Sequence, residues 1–379
     1  MKRNSALWKK SPAQQVPGNY SITALSNLEF LLRPVAFSRK EAYYLTMSLL
    51  NVSNLQKRFN LEAGFFARFG RFVNAVNDVS FSIEKNETYG LVGESGCGKT
   101  TTARLLVRMY EADGGTIRYC QGDSDKTTDI SALKGEELRR YRQKVKYIFQ
   151  DPARSLNPRL NVYEVLVSGL RWAEKDSSKN REKLLREKAA AALEETGLAA
   201  ADLERRPSEF SGGQRQRISI ARGLLPKPDL LICDEVVSAL DVSIQGQILN
   251  LLLDIREKRE MSFLFIAHDL KVACYFCDRI GVMYSGMLME EAPAASLWRE
   301  GRHPYTKMLF SSVTGIKDSG GDKGTAQTAG APAAGKTVQG VSSGCLYAPR
   351  CPRAQNICFN EPVPLTEIVP GHKVRCRFC

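Results

Sequence analysis

The sequence lacks any run of uncharged apolar residues long enough to span a bilayer, for which about 20 residues are needed. The nearest candidate, residues 21–37, contains Glu29 and Arg33. These charges also argue against the apolar segment of a secretion signal. We therefore expect the chain to stay in the cytoplasm. Thiols remain reduced there, so the ten cysteines predict no disulfide framework.

A single block of basic residues is also missing, although the net charge is +13 at pH 7. Excess positive charge can attract nucleic acid or an anionic lipid surface. Here the Lys and Arg residues are spread along the chain. The charge is therefore weak evidence, and we take it to favour a position at a membrane surface.

Changes in composition divide the 379 residues into four predicted parts. Residues 1–46 show little periodic pattern and are predicted to be a disordered leader or an over-extended start. Apolar strands alternate with helical segments over residues 47–315, which predicts an α/β layered domain. Residues 316–343 are rich in Gly, Ala, Thr and Ser, as flexible linkers are. Residues 344–379 form a short cysteine-rich region.

The clearest chemical signal lies between an apolar strand (residues 87–92) and a predicted helix (residues 98–109). It is the P-loop pattern Gly-x-x-x-x-Gly-Lys-Thr, in which glycines let backbone N–H groups point at a polyphosphate. Lys99 can neutralise β- and γ-phosphate oxygens, and the Thr100 hydroxyl can ligate Mg²⁺. The predicted nucleotide-binding residues are Gly93, Glu94, Ser95, Gly96, Cys97, Gly98, Lys99, Thr100 and Thr101.

Three polar residues follow two further apolar strands. Asp234 and Glu235 end residues 230–233, where Asp234 can hold Mg²⁺ and Glu235 can activate an attacking water. His268 ends residues 263–267, and a neighbouring strand position would bring it to the γ-phosphate. The pattern predicts hydrolysis of a nucleoside triphosphate.

A second anion site is predicted at Ser211, Gly212, Gly213 and Gln214. A serine cap and two glycines at a helix start expose backbone N–H groups to an anion. One triphosphate needs only one such cradle in a chain. We therefore expect this one to close over a γ-phosphate held by another subunit.

In combination, these motifs resemble the ATP-binding subunits of ABC transporters over about residues 47–315. The matching motifs are the Walker A at 93–100, the Q-loop at Gln150, the signature at 211–214, the Walker B at Asp234, the catalytic glutamate Glu235 and the switch histidine His268. Residues 150–159, 238–245 and 303–306 further resemble the di- and oligopeptide importer branch.

The resemblance implies a P-loop NTPase fold of the ABC ATPase type. Its core is a mixed sheet, with a helical subdomain at about residues 151–210 and an antiparallel β subdomain. The resemblance also implies roles for Glu235, His268 and Gln150 in hydrolysis, and for Thr100, Gln150 and Asp234 at Mg²⁺. Either Phe69 or Phe72 would stack on adenine.

The implied partners are a second ATPase subunit, identical or paralogous, two membrane permeases and an extracytoplasmic solute-binding protein. The chain would lie peripherally at the cytoplasmic face of the membrane, and ATP hydrolysis would energise uptake of di- or oligopeptides. Nickel or another small solute is an alternative cargo. The rival class is an ABC ATPase that acts on nucleic acid. Such proteins usually carry a long coiled coil or a tandem ATPase domain, and this sequence has neither, so we expect no nucleic-acid partner.

The cysteine-rich region contains few apolar residues for a core of its own. Gathered thiolates in such a segment predict a metal staple, and the spacing alone permits Zn²⁺. In the branch that the chain resembles, a similar region can hold a [4Fe–4S] cluster, for which four thiolates suffice. The cluster, Zn²⁺ and no metal remain three alternatives. The predicted ligands are Cys345, Cys351, Cys358 and Cys376.

Overall fold

The computed structural model describes residues 48–60, 72–121, 127–171, 179–314 and 344–379. The predicted leader (1–46), the predicted linker (316–343) and Phe69 lie outside these residues. Among the helices within them, none is long and apolar enough to cross a membrane.

The strands follow the alternating or continuously apolar segments of the sequence. β1 to β5 span Ser48–Asn60, Phe72–Glu84, Thr88–Val92, Gly114–Cys120 and Thr127–Asp129. β6 to β12 span Val145–Ile148, Leu230–Asp234, Ser262–Ala267, Arg279–Tyr284, Met287–Pro293, Thr366–Val369 and His372–Val374.

The larger sheet of the described chain has the strand order β11-β12-β10-β9-β3-β8-β7-β6. Its centre is parallel, with β3 between β8 and β9 and with β7 between β6 and β8. Alternate residues of β8 enter two hydrophobic clusters on opposite faces, Phe263 and Phe265 on one and Leu264 and Ile266 on the other. Burial on both faces explains the continuously apolar strands, whose carboxyl ends meet at one edge.

The smaller sheet is antiparallel and has the order β2-β1-β4-β5. Leu50 and Ile83 of this sheet share a hydrophobic cluster with Leu91 of β3, so the two sheets pack together. Asn86, in the turn before β3, adopts φ +60, a conformation that Asn tolerates. A mixed core sheet with an antiparallel second sheet confirms the predicted α/β fold.

The helices lie mostly between the parallel strands. α1 to α6 span Lys99–Leu106, Gly135–Lys144, Pro152–Ser155, Val162–Arg171, Lys179–Glu195 and Gly212–Leu224. α7 to α11 span Val242–Arg259, Leu270–Phe276, Ala294–Glu300, Pro304–Thr314 and Asn356–Asn360. α1 is shorter than the predicted helix at 98–109, because Arg108 takes a left-handed φ of +56 just after its end.

Helices α4 to α6 share a hydrophobic cluster of their own. α6 belongs to two clusters at once. It contributes Ile218 and Ala221 to the helical cluster and Ile220 and Leu224 to a cluster of the larger sheet. The helical cluster thus extends past the predicted range 151–210, and α6 joins it to the sheet.

The last part of the chain extends the larger sheet. β12 pairs antiparallel with β10, and Arg375 donates from Nε to the carbonyl oxygen of Leu288 at 2.8 Å. Buried Glu290 of β10 lies 2.7 Å from His372 Nε2. The cysteine-rich segment is therefore joined to the core sheet. β11 and β12 have four and three residues, too few for a recognisable alternation.

Candidate functional site

The P-loop connects β3 to α1 at the carboxyl end of a central parallel strand. Gly98, the N-cap of α1, has φ +109, and a Cβ there would lie 2.1 Å from the carbonyl oxygen of Ala75. Glycine is therefore required at this position. In the described part of the chain no side chain caps α1. The first N–H groups of α1 are therefore left to bind an anion held in the P-loop.

Lys99 is buried at the start of α1. Its ammonium donates to the carbonyl oxygens of Gly93 at 2.8 Å and Glu94 at 3.0 Å. The loop therefore curls around the cation. This places a positive charge where phosphate oxygens could replace the two carbonyl groups.

A cavity of about 300 Å³ opens beside the P-loop, a volume that suits a small-molecule ligand. Its wall includes β2, the P-loop, the Q-loop, the turn after β9 and the C-terminal segment. The lining residues are Val73, Asn74, Ala75, Asn77, Ser95, Gly96, Gly98, Lys99, Thr100, Thr101, Gln150, Glu235, Ser285, Gly286 and Leu346.

Two predicted P-loop residues point away from this cavity. Cys97 is buried beneath the loop, and burial raises the pKa of its thiol. The carboxylate of Glu94 pairs instead with Arg350 of the C-terminal segment. Neither side chain is therefore presented to a ligand in the cavity, although both belong to the loop backbone.

Asp234 lies at the buried end of β7, next to the P-loop. Thr100 Oγ1 donates to its Oδ1 at 3.1 Å, and the Tyr147 hydroxyl donates to its Oδ2. Burial raises the pKa of Asp234, and the two hydroxyl donors oppose that rise. Thr100 and Asp234 offer adjacent oxygen atoms of the kind that Mg²⁺ prefers.

Glu235, Gln150 and His268 converge at the carboxyl edge of the sheet. Gln150 Nε2 donates to Glu235 Oε2 at 2.7 Å, and His268 Nδ1 lies 4.0 Å from the same oxygen. Glu235 adopts φ +49, uncommon for a residue with a side chain, and its N–H donates to the carbonyl oxygen of Ile266. Such a conformation is typical of functional sites, where surrounding contacts hold the strained residue.

The signature residues begin α6. Ser211 Oγ accepts from the N–H of Gln214 at 3.3 Å, and Gln214 Oε1 accepts from the N–H of Ser211 at 2.9 Å. This reciprocal cap explains why the helix starts at Gly212. Within the described residues none of the four, Ser211 to Gln214, lines the P-loop cavity.

The aromatic residue that would stack on adenine stays a prediction. Phe72 is 53% exposed at the start of β2, and its neighbour Val73 lines the cavity. Phe72 itself is not among the described residues that line the cavity. Phe69 lies outside the described residues.

The four cysteines predicted as ligands lie around one small cavity, of about 20 Å³, together with His303 and Phe378. A space of this size holds about one water molecule. Burial raises the pKa of the Cys345 and Cys351 thiols. The donor chemistry suits a metal or cluster that takes thiolates. Among the described residues, however, no three His, Cys, Asp or Glu side chains are arranged to hold a metal ion.

Sequence reasoning missed several site neighbours, among them Tyr147, Tyr305, Leu346 and Arg350. Tyr147 binds Asp234, and Leu346 lines the cavity. Tyr305 and Arg350 contact the P-loop residue Glu94. Tyr147 lies three residues before the Q-loop residue Gln150. Tyr305, Leu346 and Arg350 reach the P-loop region through tertiary packing, which no local pattern reveals.

Comparison with known proteins gives the family. The family model described as ABC transporter matches residues 76–238, and that of the oligopeptide/dipeptide transporter C-terminal region matches residues 289–358. The chain is 39% identical to the oligopeptide transport ATP-binding protein AppF of Bacillus subtilis, over 87% of this chain and 97% of AppF. It is 40% identical to y4tS of Sinorhizobium fredii, named a probable peptide ABC transporter ATP-binding protein, over 87% of this chain and 89% of y4tS.

Solved structures agree on the fold. A dimeric ATP-binding cassette, MJ0796 bound to ADP and Pi, is 24% identical, with a TM-score of 0.55, and covers 65% of this chain and 98% of its own. The family model and the relatives at 39–40% identity show that the chain belongs to the ABC transporter ATP-binding proteins and is an ATPase. Within that family it is a member of the oligopeptide/dipeptide transporter branch, as the match of its C-terminal region and its curated relatives show.

Proposed function

We propose that this chain energises the uptake of di- or oligopeptides by hydrolysing ATP at the cytoplasmic face of a membrane. The observation that carries the proposal is the match of residues 289–358 to the oligopeptide/dipeptide transporter C-terminal region. Relatives that align over almost their whole length are named for peptide or oligopeptide transport. The nucleotide cavity, together with Asp234 and Glu235 at the carboxyl edge of the larger sheet, supports the ATP hydrolysis that this function needs.

In this proposal the triphosphate of ATP lies against the N-terminus of α1. Lys99 exchanges its two carbonyl contacts for phosphate oxygens, and Thr100, Asp234 and Gln150 hold Mg²⁺. The ion neutralises charge on the β- and γ-phosphates when bound. Glu235 accepts a proton from the attacking water, and His268 contacts the γ-phosphate.

The residues Ser211 to Gln214 act across a dimer interface in this proposal. Their exposed position at the start of α6, outside the P-loop cavity, supports a role on the nucleotide of a second ATPase subunit. Two membrane permeases and a solute-binding protein complete the transporter. The helical part around α3 to α5, with Gln150, would contact the permeases.

Uptake measurements test the cargo. A strain that lacks this chain should lose uptake of a labelled tripeptide, and the wild-type gene should restore it. The Glu235→Gln variant should be expressed, associate with membranes and fail to restore uptake. If the strain loses nickel uptake and keeps normal peptide uptake, nickel is the transported solute and the peptide proposal is wrong. Normal uptake of both, with salt-sensitive DNA binding by the purified chain, would favour the nucleic-acid class instead.

We further propose that Cys345, Cys351, Cys358 and Cys376 ligate a [4Fe–4S] cluster, with Zn²⁺ as the alternative. The four thiols around one cavity supply the donor atoms, and ligation would require them to move closer together, because no three of the described side chains are arranged to hold a metal. Protein purified without oxygen should contain about four iron atoms and four sulfides per chain if the cluster forms. Cys351→Ser should lose this iron, whereas Cys274→Ser, on α8, should keep it. About one zinc per chain would favour Zn²⁺, and the absence of both metals would contradict a metal site.

A further inference from the structure

Glu94 places a carboxylate in the loop that binds a triphosphate. It lies between Gly93 and Ser95, and Ser95 lines the nucleotide cavity. A negative charge in this loop repels phosphate, and the repulsion acts over several ångströms where water is partly excluded. The loop therefore needs something that removes the effect of this charge.

Arg350 binds this carboxylate with both of its terminal nitrogens. Nη1 donates to Oε2 at 2.9 Å, and Nη2 donates to Oε1 at 3.0 Å. Such a fork fixes orientation as well as charge. The guanidinium also lies 5.7 Å from the ring centres of Tyr284 and Tyr347, at a distance typical of cation–π contacts.

The backbone of Glu94 is held as firmly as its side chain. Its N–H donates to the hydroxyl of Tyr305 at 2.9 Å, and its carbonyl oxygen accepts from Lys99 at 3.0 Å. Tyr305 is fully buried and packs against Tyr284 and Tyr347. α10 and the C-terminal segment thus hold Glu94 of the P-loop in place.

We propose that Arg350 is a positioning residue for ATP binding, which neutralises Glu94 and turns its carboxylate away from the triphosphate. The C-terminal segment is then part of the nucleotide site, and Leu346 of the same segment lines the cavity. ATP affinity depends on this segment even though none of its charged groups touches the ligand.

A double-mutant cycle tests the proposal by ATP binding to the isolated chain. Arg350→Ala leaves an unpaired carboxylate in the loop and should weaken binding about five- to tenfold. Glu94→Gln leaves Arg350 as an unpaired cation and should strengthen binding about twofold. The double variant carries neither charge and should return close to the wild-type affinity.

Salt gives a second readout. The deficit of Arg350→Ala should shrink when ionic strength rises from about 0.05 to 0.5 M, because charge repulsion is screened. Arg377→Ala removes another ion pair of the C-terminal segment, with Glu361 at 2.9 Å, and serves as the matched control. Its affinity for ATP should equal that of the wild type.

A different ranking would overturn the proposal. If Arg350 only anchors the segment, all three variants lose the same contact and should bind ATP equally weakly, at any salt concentration. Unchanged affinity in Arg350→Ala would also overturn it. Should Arg350→Ala fail to fold, Arg350→Lys retains the charge without the fork, and its affinity should fall by no more than about twofold.

Discussion

The N-termini of α1 and α6 were both predicted to bind an anion, yet they differ in capping, in burial and in their access to a cavity. α1 begins at buried Lys99, without a side-chain cap in the described chain, and its first residues line a cavity of about 300 Å³. α6 begins at Gly212 on the surface, and Ser211 caps it through the N–H of Gln214.

Gly98 and Gly212 differ in what surrounds them, whereas at Gly213 a Cβ would lie 2.8 Å from Ile244 Cγ2 of this chain. Gly98 is needed by this chain itself, since a Cβ would collide with the carbonyl oxygen of Ala75. At Gly212 a Cβ would meet nothing nearer than Leu240 Cδ2 at 3.8 Å. Nothing in the described part of this chain thus demands glycine at 212. Space kept open on a surface supports the proposal that a second subunit brings its nucleotide there.

The largest expected effect separates chemistry from binding at the α1 end. Glu235→Gln should lower ATP turnover about 10²–10⁴-fold, the usual range for a general base, while ATP still binds. Steady-state hydrolysis and equilibrium nucleotide binding measure the two quantities. Near-normal turnover in the assembled variant would remove Glu235 from the role of base.

The next effect tests whether α6 serves another subunit's nucleotide. Ser211→Arg places a bulky side chain where backbone N–H groups must approach phosphate, so hydrolysis should fall about 10²-fold. ATP binding to the isolated chain should remain within about twofold of wild type, because the P-loop cavity is elsewhere. Ser311→Arg adds the same charge on exposed α10 and is the control. Equal loss of binding in the isolated chain would show that α6 serves its own nucleotide.

Lys99→Ala should weaken binding itself, in contrast to Ser211→Arg. Loss of a charge-assisted contact with phosphate should lower ATP affinity about ten- to hundredfold. Lys144→Ala removes a surface ion pair with Asp229 and should leave ATP affinity unchanged. Titration with a fluorescent ATP analogue compares the variants. An unaltered affinity in Lys99→Ala would contradict the role of the α1 end.

The smallest effect concerns stability and sharpens the contrast between the glycines. Gly98→Ala should lower the free energy of unfolding by at least about 2 kcal/mol, because of its left-handed φ and the backbone clash. Gly212→Ala should change it by less than about 0.5 kcal/mol. Chemical denaturation measures both. If Gly212→Ala reduces hydrolysis without loss of stability, the requirement for glycine at 212 comes from a second subunit. A large loss of stability would show instead that this chain itself requires glycine there.

The local parts of the site could be predicted from the sequence. Apolar strands that end in polar residues placed Asp234, Glu235 and His268 at one edge, since parallel strands align their carboxyl ends. Helices α5 and α7 likewise lie between apolar strands, in the alternating pattern that the sequence predicted for residues 47–315. In these segments local pattern and tertiary environment favour the same conformation.

The remaining parts depend on contacts between distant residues. Arg350 reaches Glu94 across 256 positions, and no local pattern marks either residue as a partner of the other. Tyr147 looks like an ordinary strand residue until β6 pairs with β7 and brings its hydroxyl to Asp234. Metal binding by the C-terminal cysteines also stays a prediction. The sequence shows that thiol donors are present, but their arrangement in space depends on tertiary contacts.

The two hydroxyl groups on Asp234 have a consequence for the order in which ligands arrive. Thr100 occupies one carboxylate oxygen and Tyr147 the other. A free hydrated Mg²⁺ ion, which gives up water reluctantly, would have to displace a hydroxyl with little else to coordinate it. In the proposed site an ion that also binds ATP would gain phosphate oxygens in place of the waters it loses, and the Thr100 hydroxyl and the Asp234 carboxylate would complete its ligands. If Thr100 and Asp234 hold Mg²⁺ as proposed, we expect metal and nucleotide to enter together and magnesium alone to bind poorly.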